Sequence, residues 1–286
     1  FLAAVIKAVD EHQDLLRISV ASAANDHRLG ANEAPPAIVS MFIGEDLEEI
    51  LNAIESGVPC GKKDRVFMEI GTDVLPKIPK DTTDRNSTSP FAFTGNKFEF
   101  RMVGSSDSIA CPNMMLNTIV ADTLCCFADR LEKASDFKAE LNALIQEVIT
   151  KHKRIIFNGN NYTPEWVGEA AKRGLLNLHS AVDALPYYIK PENVAMFEKH
   201  GVLTKTEVYS RYEIQLENYY KQINIDALTM VEMIRKDLLP AAAAYMKDLS
   251  ETANSKKLLS PELCCGFEKG LLEKFAPLVT ELYKKT

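Results

Sequence analysis

Apolar positions along this chain follow two different periodicities. From about residue 112 onward they recur every three or four residues, the spacing of one helical face. Helices are expected over Met114–Leu131, Asp136–Lys153, Thr163–Arg173, Ser180–Leu185, Glu192–His200 and Thr204–Ile223, the last opening on a capping-box string, Thr204-Lys205-Thr206-Glu207. Ile225–Leu239 and Ala241–Thr252 continue the pattern, with a break or kink expected at Pro240, and Pro261–Lys285 closes it. Before residue 112 the apolar runs are shorter and punctuated by glycine and proline. Residues 1 to 12 predict a helix facing inward through Leu2, Val5, Ile6 and Val9. Leu15–Val20 is a partly β-branched run, and Asn25 to Pro36 reads as a loop because Gly30, Asn32, Pro35 and Pro36 suit no regular interior. Ala37–Ile43 is a candidate strand, with a helix start as the other reading. Asp46–Ser56 predicts an amphipathic helix with Leu47, Ile50, Leu51 and Ile54 inward, stopped by Gly57, and Val66–Ile70 is a further candidate strand.

One stretch alternates. Read as a strand, Lys97, Glu99 and Arg101 point to one side, and Phe98, Phe100 and Met102 to the other. The second face suits a core. The first is a row of plus, minus, plus, which is either a solvated face or a floor for an anionic ligand and a metal ion. A few antiparallel strands within residues 15–103 followed by a mostly helical region define an α+β chain.

Composition narrows the functional classes. A net charge of −7 argues against a broad nucleic-acid footprint while allowing a local basic pocket. No apolar run reaches membrane-spanning length, so no membrane partner is expected. The six cysteines, Cys60, Cys111, Cys125, Cys126, Cys264 and Cys265, lack zinc-site spacing and read as buried reduced thiols of a cytoplasmic protein. Cys60-Gly61-Lys62-Lys63 lacks the first glycine and the hydroxyl residue of a phosphate loop. His152, His179 and His200 stand apart from one another, and Tyr209, Tyr212, Tyr219 and Tyr220 at helical spacing read as packing residues.

Three strings, taken in order, are specific: Asn25-Asp26-His27-Arg28-Leu29-Gly30-Ala31-Asn32-Glu33-Ala34-Pro35-Pro36, then Asp84-Arg85-Asn86-Ser87-Thr88-Ser89-Pro90, then Thr94-Gly95-Asn96-Lys97-Phe98-Glu99-Phe100-Arg101. With them the sequence resembles glutamine synthetase, most closely its long type III branch, over the whole chain. The resemblance implies the C-terminal portion of a catalytic domain over residues 1–225, with the N-terminal part upstream of Phe1, and an α-helical extension over 226–286. It implies ATP-dependent joining of ammonia to glutamate through a γ-glutamyl phosphate, with Mg²⁺ or Mn²⁺ and a homo-oligomeric double ring.

By resemblance, Glu33 is the flap carboxylate that takes a proton from ammonium, and Arg28 binds the glutamate carboxylate. Glu99 is a metal ligand, Lys97 a cation near the phosphates, and Arg101 an arginine facing substrate and transferred phosphate. Where the family carries a second phosphate-contacting arginine this chain has Ser87, and Arg85 is the residue that would take over that contact. Two other readings compete: a noncatalytic helical oligomerisation or regulatory module, and a related ligase joining glutamate to another amine.

Overall fold

The computed structural model describes residues 1–31, 34–57 and 88–286. Glu33, Arg85, Ser87, Cys60 and the expected strand Val66–Ile70 lie outside the described residues. Two compact units divide the chain, Phe1–Tyr219 and Tyr220–Thr286.

The first unit is built around helix α1 (Leu2–Glu11), whose Ala4, Ile6, Ala8 and Val9 are fully enclosed. It packs against α5 (Ala110–Leu131) and α6 (Phe137–His152). Helix α2 (Gln13–Ile18) follows at once, buried along its whole length, so Leu15–Val20 is helical through Ile18. A short helix that is enclosed on every side carries no amphipathic period, which is why the run looks strand-like in sequence.

Asn25 to Arg28 are helical too, a correction to the expected loop. Ser22 accepts a hydrogen bond from the Asn25 amide (3.2 Å) and so caps α3 (Ala23–Arg28). The loop proper begins at Leu29. Gly30, at φ +81°, donates from its amide to the Pro35 carbonyl (3.0 Å), which pinches the base of the loop shut.

Of the candidate strand Ala37–Ile43, only Met41–Phe42 (β1) pairs in the sheet. It runs parallel to β2 (Phe91–Phe93), which runs antiparallel to β3 (Phe98–Phe100), giving the order β1-β2-β3. Between them α4 (Glu45–Ser56) ends at Gly57 in the left-handed conformation, as its sequence requires. Leu51 is buried and Leu47 and Ile54 pack against the core, but Ile50 is exposed.

Helices α5, α6, α7 (Pro164–Lys172), α8 (Ala181–Ala184) and α9 (Pro191–Lys199) occupy the expected segments. Phe137, in the first turn of α6, is exposed. Trp166 is buried and stacks on Phe157 at 3.8 Å between ring centres. His152 is a packed residue, its Nδ1 2.8 Å from buried Asp10, which also accepts from Arg154 Nε (2.7 Å). Cys111 and Cys125 are half-buried and Cys265 is buried, but Cys126 and Cys264 are exposed, so burial does not hold for all the thiols.

Helix α10 (Lys205–Met233) opens on a complete capping box: the Thr204 amide donates to Glu207 (2.7 Å), and the Glu207 amide to the Thr204 hydroxyl (3.3 Å). The division between the two units falls within this helix.

In the second unit the expected break at Pro240 is instead a wide turn. Ile234–Leu238 is π-helical, with the Leu239 amide bonded to the Ile234 carbonyl, and α11 (Leu239–Leu259) starts with Pro240 in its first turn. Proline lacks an amide hydrogen and crowds the carbonyl four residues back, and loosening the preceding turn accommodates it without ending the helix. Helix α12 (Gly266–Lys285) packs along α11.

Candidate active site

The alternating stretch is the outer strand of the small sheet among the described residues. Gly95, at φ +92°, turns the hairpin, and the Thr94 amide closes it on the Lys97 carbonyl (3.0 Å). Register then sorts the side chains. Phe91 lies opposite Phe100 and Phe93 opposite Phe98, so four phenylalanines share one face, with Phe91 and Phe98 stacked at 5.8 Å. Ala92 lies opposite Glu99 on the other face, and its single methyl leaves the carboxylate uncrowded from across the strand. Phe98 and Phe100 pack on the hydrophobic core, which fixes the direction of Lys97, Glu99 and Arg101.

Those three side chains meet. Glu99 Oε1 lies 3.0 Å from Lys97 Nζ, and Oε2 accepts from Arg101 Nη2 (2.8 Å) and Nε (3.1 Å). Arg101 also reaches the Ser89 hydroxyl with Nη1 (3.3 Å), and its amide donates to the Pro90 carbonyl (2.8 Å). Hydrogen bonds from Arg101, and then from Lys97, hold the Glu99 carboxyl below the usual glutamate range, so it is ionised at neutral pH. The group is graded in exposure: Arg101 is 17% exposed, Glu99 31% and Lys97 66%. The row is therefore anchored at Arg101 and open to solvent at Lys97.

Arg28 comes to the same strand from α3. Its Nη2 donates to the Met102 carbonyl (2.7 Å), one residue beyond Arg101, and its Nε to Asn25 Oδ1 (2.9 Å). Asn25 is fully buried, and its Nδ2 donates to the carbonyls of Val20 (2.8 Å) and Met102 (2.9 Å). Asp26 holds α3 from the other side, accepting from Arg17 Nη2 (2.7 Å) and from the Ala181 amide (2.6 Å). Lys97, Glu99, Arg101 and Arg28 are thus gathered along one strand and its end. Glu33 and Arg85 lie outside the described residues. Sequence reasoning missed Asn25, Asp26 and Arg17. The one signal for the first two was Ser22, a cap three residues ahead of Asn25.

Residues 140–257 match the glutamine synthetase C-terminal domain family. The chain is 47% identical to a glutamine synthetase of Butyrivibrio fibrisolvens, over 99% of this chain and 41% of that protein. It is 43% identical to the type-3 glutamine synthetase of Dictyostelium discoideum (89% of this chain, 35% of that protein). It is 36% identical to a glutamine synthetase of Bacteroides fragilis (92% and 37%).

The chain is a relative of glutamine synthetase. Its likeness to the Butyrivibrio glutamine synthetase takes in the charged strand and α3, which lie outside the C-terminal-domain match, as well as the helices inside it. The chain spans about 41% of the length of that glutamine synthetase and less of the other two. Its α+β architecture, a small sheet followed by helices, agrees with the C-terminal part of such a protein. Among the described residues no helix is long and apolar enough to cross a membrane.

Proposed function

We propose that this chain forms part of an ATP-dependent glutamate–ammonia ligase that makes glutamine through a γ-glutamyl phosphate. The observation that carries the reading is the Lys97–Glu99–Arg101 row, with the Arg28 fork tied to the end of the same strand. In this reading residues 1–225 contribute to the catalytic domain and 226–286 are a helical extension. The working protein is a cytoplasmic homo-oligomer.

Arg28 presents a planar fork to the carboxylate of glutamate, a geometry lysine could not supply. Lys97, the exposed cation of the row, reaches the phosphates of ATP. Arg101, held by Ser89 and Glu99, meets the charge that develops on the γ-phosphoryl group during transfer. Glu33, carried on the loop pinched at Gly30, takes a proton from ammonium. Arg85 supplies the remaining cation on the phosphoryl group.

A divalent ion fits this site as far as one ligand. Glu99 is an ionised oxygen donor on an uncrowded face, and hard cations of the Mg²⁺ type are bound by one or two carboxylates together with phosphates and water. Among the described residues no cluster of three acidic, histidine or cysteine side chains forms a cage. When bound, Mg²⁺ or Mn²⁺ would neutralise phosphate charge.

The test is ligand-induced stabilisation of the full-length protein by Mn²⁺ with ATP, beside an assay of glutamate- and ammonia-dependent ADP release. At a hundredfold excess over Kd, binding contributes about 2.7 kcal/mol, a shift of several degrees in Tm. Glu99→Ala should abolish most of the shift and the turnover. A protein that neither gains stability nor turns over, with or without Glu99, would be the helical scaffold instead. Turnover with another amine but not ammonia would identify the related ligase.

A further inference from the structure

Asn25, Arg28 and the Met102 carbonyl form a closed triangle of hydrogen bonds. Arg28 donates from Nε to Asn25 Oδ1 (2.9 Å) and from Nη2 to Met102 O (2.7 Å), and Asn25 Nδ2 completes the triangle on Met102 O (2.9 Å). Asn25 has 0% exposure and Met102 1%, so the triangle lies beneath the protein surface while Arg28 is half-buried above it. The two donors used by Arg28 are those of its Nε/Nη2 edge. The end-on edge, one proton of Nη1 and the second of Nη2, has no partner among the described residues and is spare for a carboxylate.

From this geometry we infer that Asn25 is the positioning residue that aims the Arg28 fork at its substrate. A free arginine side chain has four torsions to restrain, and a single bond to Met102 would leave the guanidinium plane free to turn about it. The second bond, from Nε to a buried amide that cannot itself move, removes that freedom. Asn25 is suited to the task because its amide both donates and accepts. Its Nδ2 ties it to Val20 and Met102, and its Oδ1 faces Arg28. Aspartate has the same shape but no donors, and it would hold Arg28 as an ion pair and compete with the substrate carboxylate. The inference rests on the ligase reading, in which that carboxylate belongs to glutamate.

The test is kinetic and spectroscopic. In the full-length protein, Asn25→Asp should raise the KM for glutamate about tenfold while the KM for ATP stays within twofold. A merely structural residue would lower the active fraction and leave both KM values in place. Because Asn25 acts through Arg28, the double variant Asn25→Asp with Arg28→Lys should show a glutamate KM no higher than Arg28→Lys alone. An unchanged glutamate KM in Asn25→Asp, or additive effects in the double variant, would overturn the inference.

Should Asn25→Asp fail to fold, the wild-type chain still decides the matter. The Arg28 Nε–H resonance, assigned with Arg28→Lys, should exchange with water at least tenfold more slowly than an exposed arginine, and exchange at the exposed rate would refute the triangle. A wild type without glutamate-dependent turnover would count against the ligase reading. Turnover with an unmoved glutamate KM would count against Asn25 alone.

Discussion

Replacing Asp26 by alanine should be among the costliest single changes in the first unit. Its partner Arg17 is 1% exposed, and arginine cannot shed its charge to escape an unfavourable site. Arg17 donates to the carbonyls of Leu178 (2.8 Å) and His179 (3.2 Å) and to Asp26 (2.7 Å), and its Nη1 has no partner among the described residues. Among the described residues Asp26 is therefore the carboxylate in direct contact with a guanidinium already short of one hydrogen bond, and Asp183 acts on it from farther off. Stranding one member of a buried pair costs about 3–5 kcal/mol, and the 11% exposure of Asp26, which admits some water, favours the lower end. About 3 kcal/mol corresponds to a drop of roughly 6–12 °C in Tm for a unit of this size.

The assay is direct because the chain has a single tryptophan, Trp166, buried in the same unit, so its emission follows that unit through a urea titration. Replacing both partners by apolar residues, Arg17→Met with Asp26→Leu, removes the stranded charge and should recover part of the loss, the Leu178 and His179 carbonyls and the Ala181 amide losing their partners. A cost under about 1 kcal/mol for Asp26→Ala, or a double variant as unstable as the single, would refute the argument from buried charge.

Two further outcomes follow from local chemistry. The Tyr188 hydroxyl is buried without a partner among the described residues, and burial first, then the nearby Cys111, pushes its pKa up to about 12. Its folded pKa lies above the unfolded one, so its contribution is complete below about pH 10 and is lost as pH rises toward 12. A spectrophotometric titration should find one tyrosine ionising well after the exposed ones, and its ionisation alongside them would contradict the packing. Thr204→Ala should cost about 1 kcal/mol in the tryptophan-monitored titration by opening the capping box of α10, and no measurable change would mean that the Glu207 half suffices.

What could be read from the sequence was what depends on neighbours a few residues apart. Gly57 stops α4 because only a short local motif is involved, and the Thr204 to Glu207 box forms for the same reason. The two faces of β3 were legible because alternation is itself a local pattern. The α2 helix was not, since its enclosure on all sides comes from the rest of the unit. Nor was the role of Asn25, whose partner Met102 stands 77 residues away. A polar pair ahead of a glycine looks like solvent-facing loop, and only the tertiary fold turns it inward. Among the candidate site residues, Lys97, Glu99 and Arg101 stood out by their alternation and gained roles through the resemblance, Arg28 came through the resemblance, and the structure adds how each is held.

The wide turn at Ile234–Leu238 has an arithmetic side. A π turn amounts to one surplus residue in an α-helix, so it displaces the phase of everything after it by about 100°. Helices α11 and α12, with Leu249 buried, both lie beyond that surplus and so turn together as a pair. Shortening the segment by one residue would leave an unbroken helix with better local geometry, yet it would turn that pair by about 100° relative to the preceding helical turns and carry the Thr286 carbonyl away from Arg235. Here a more regular helix would send the two helices that follow it in a different direction.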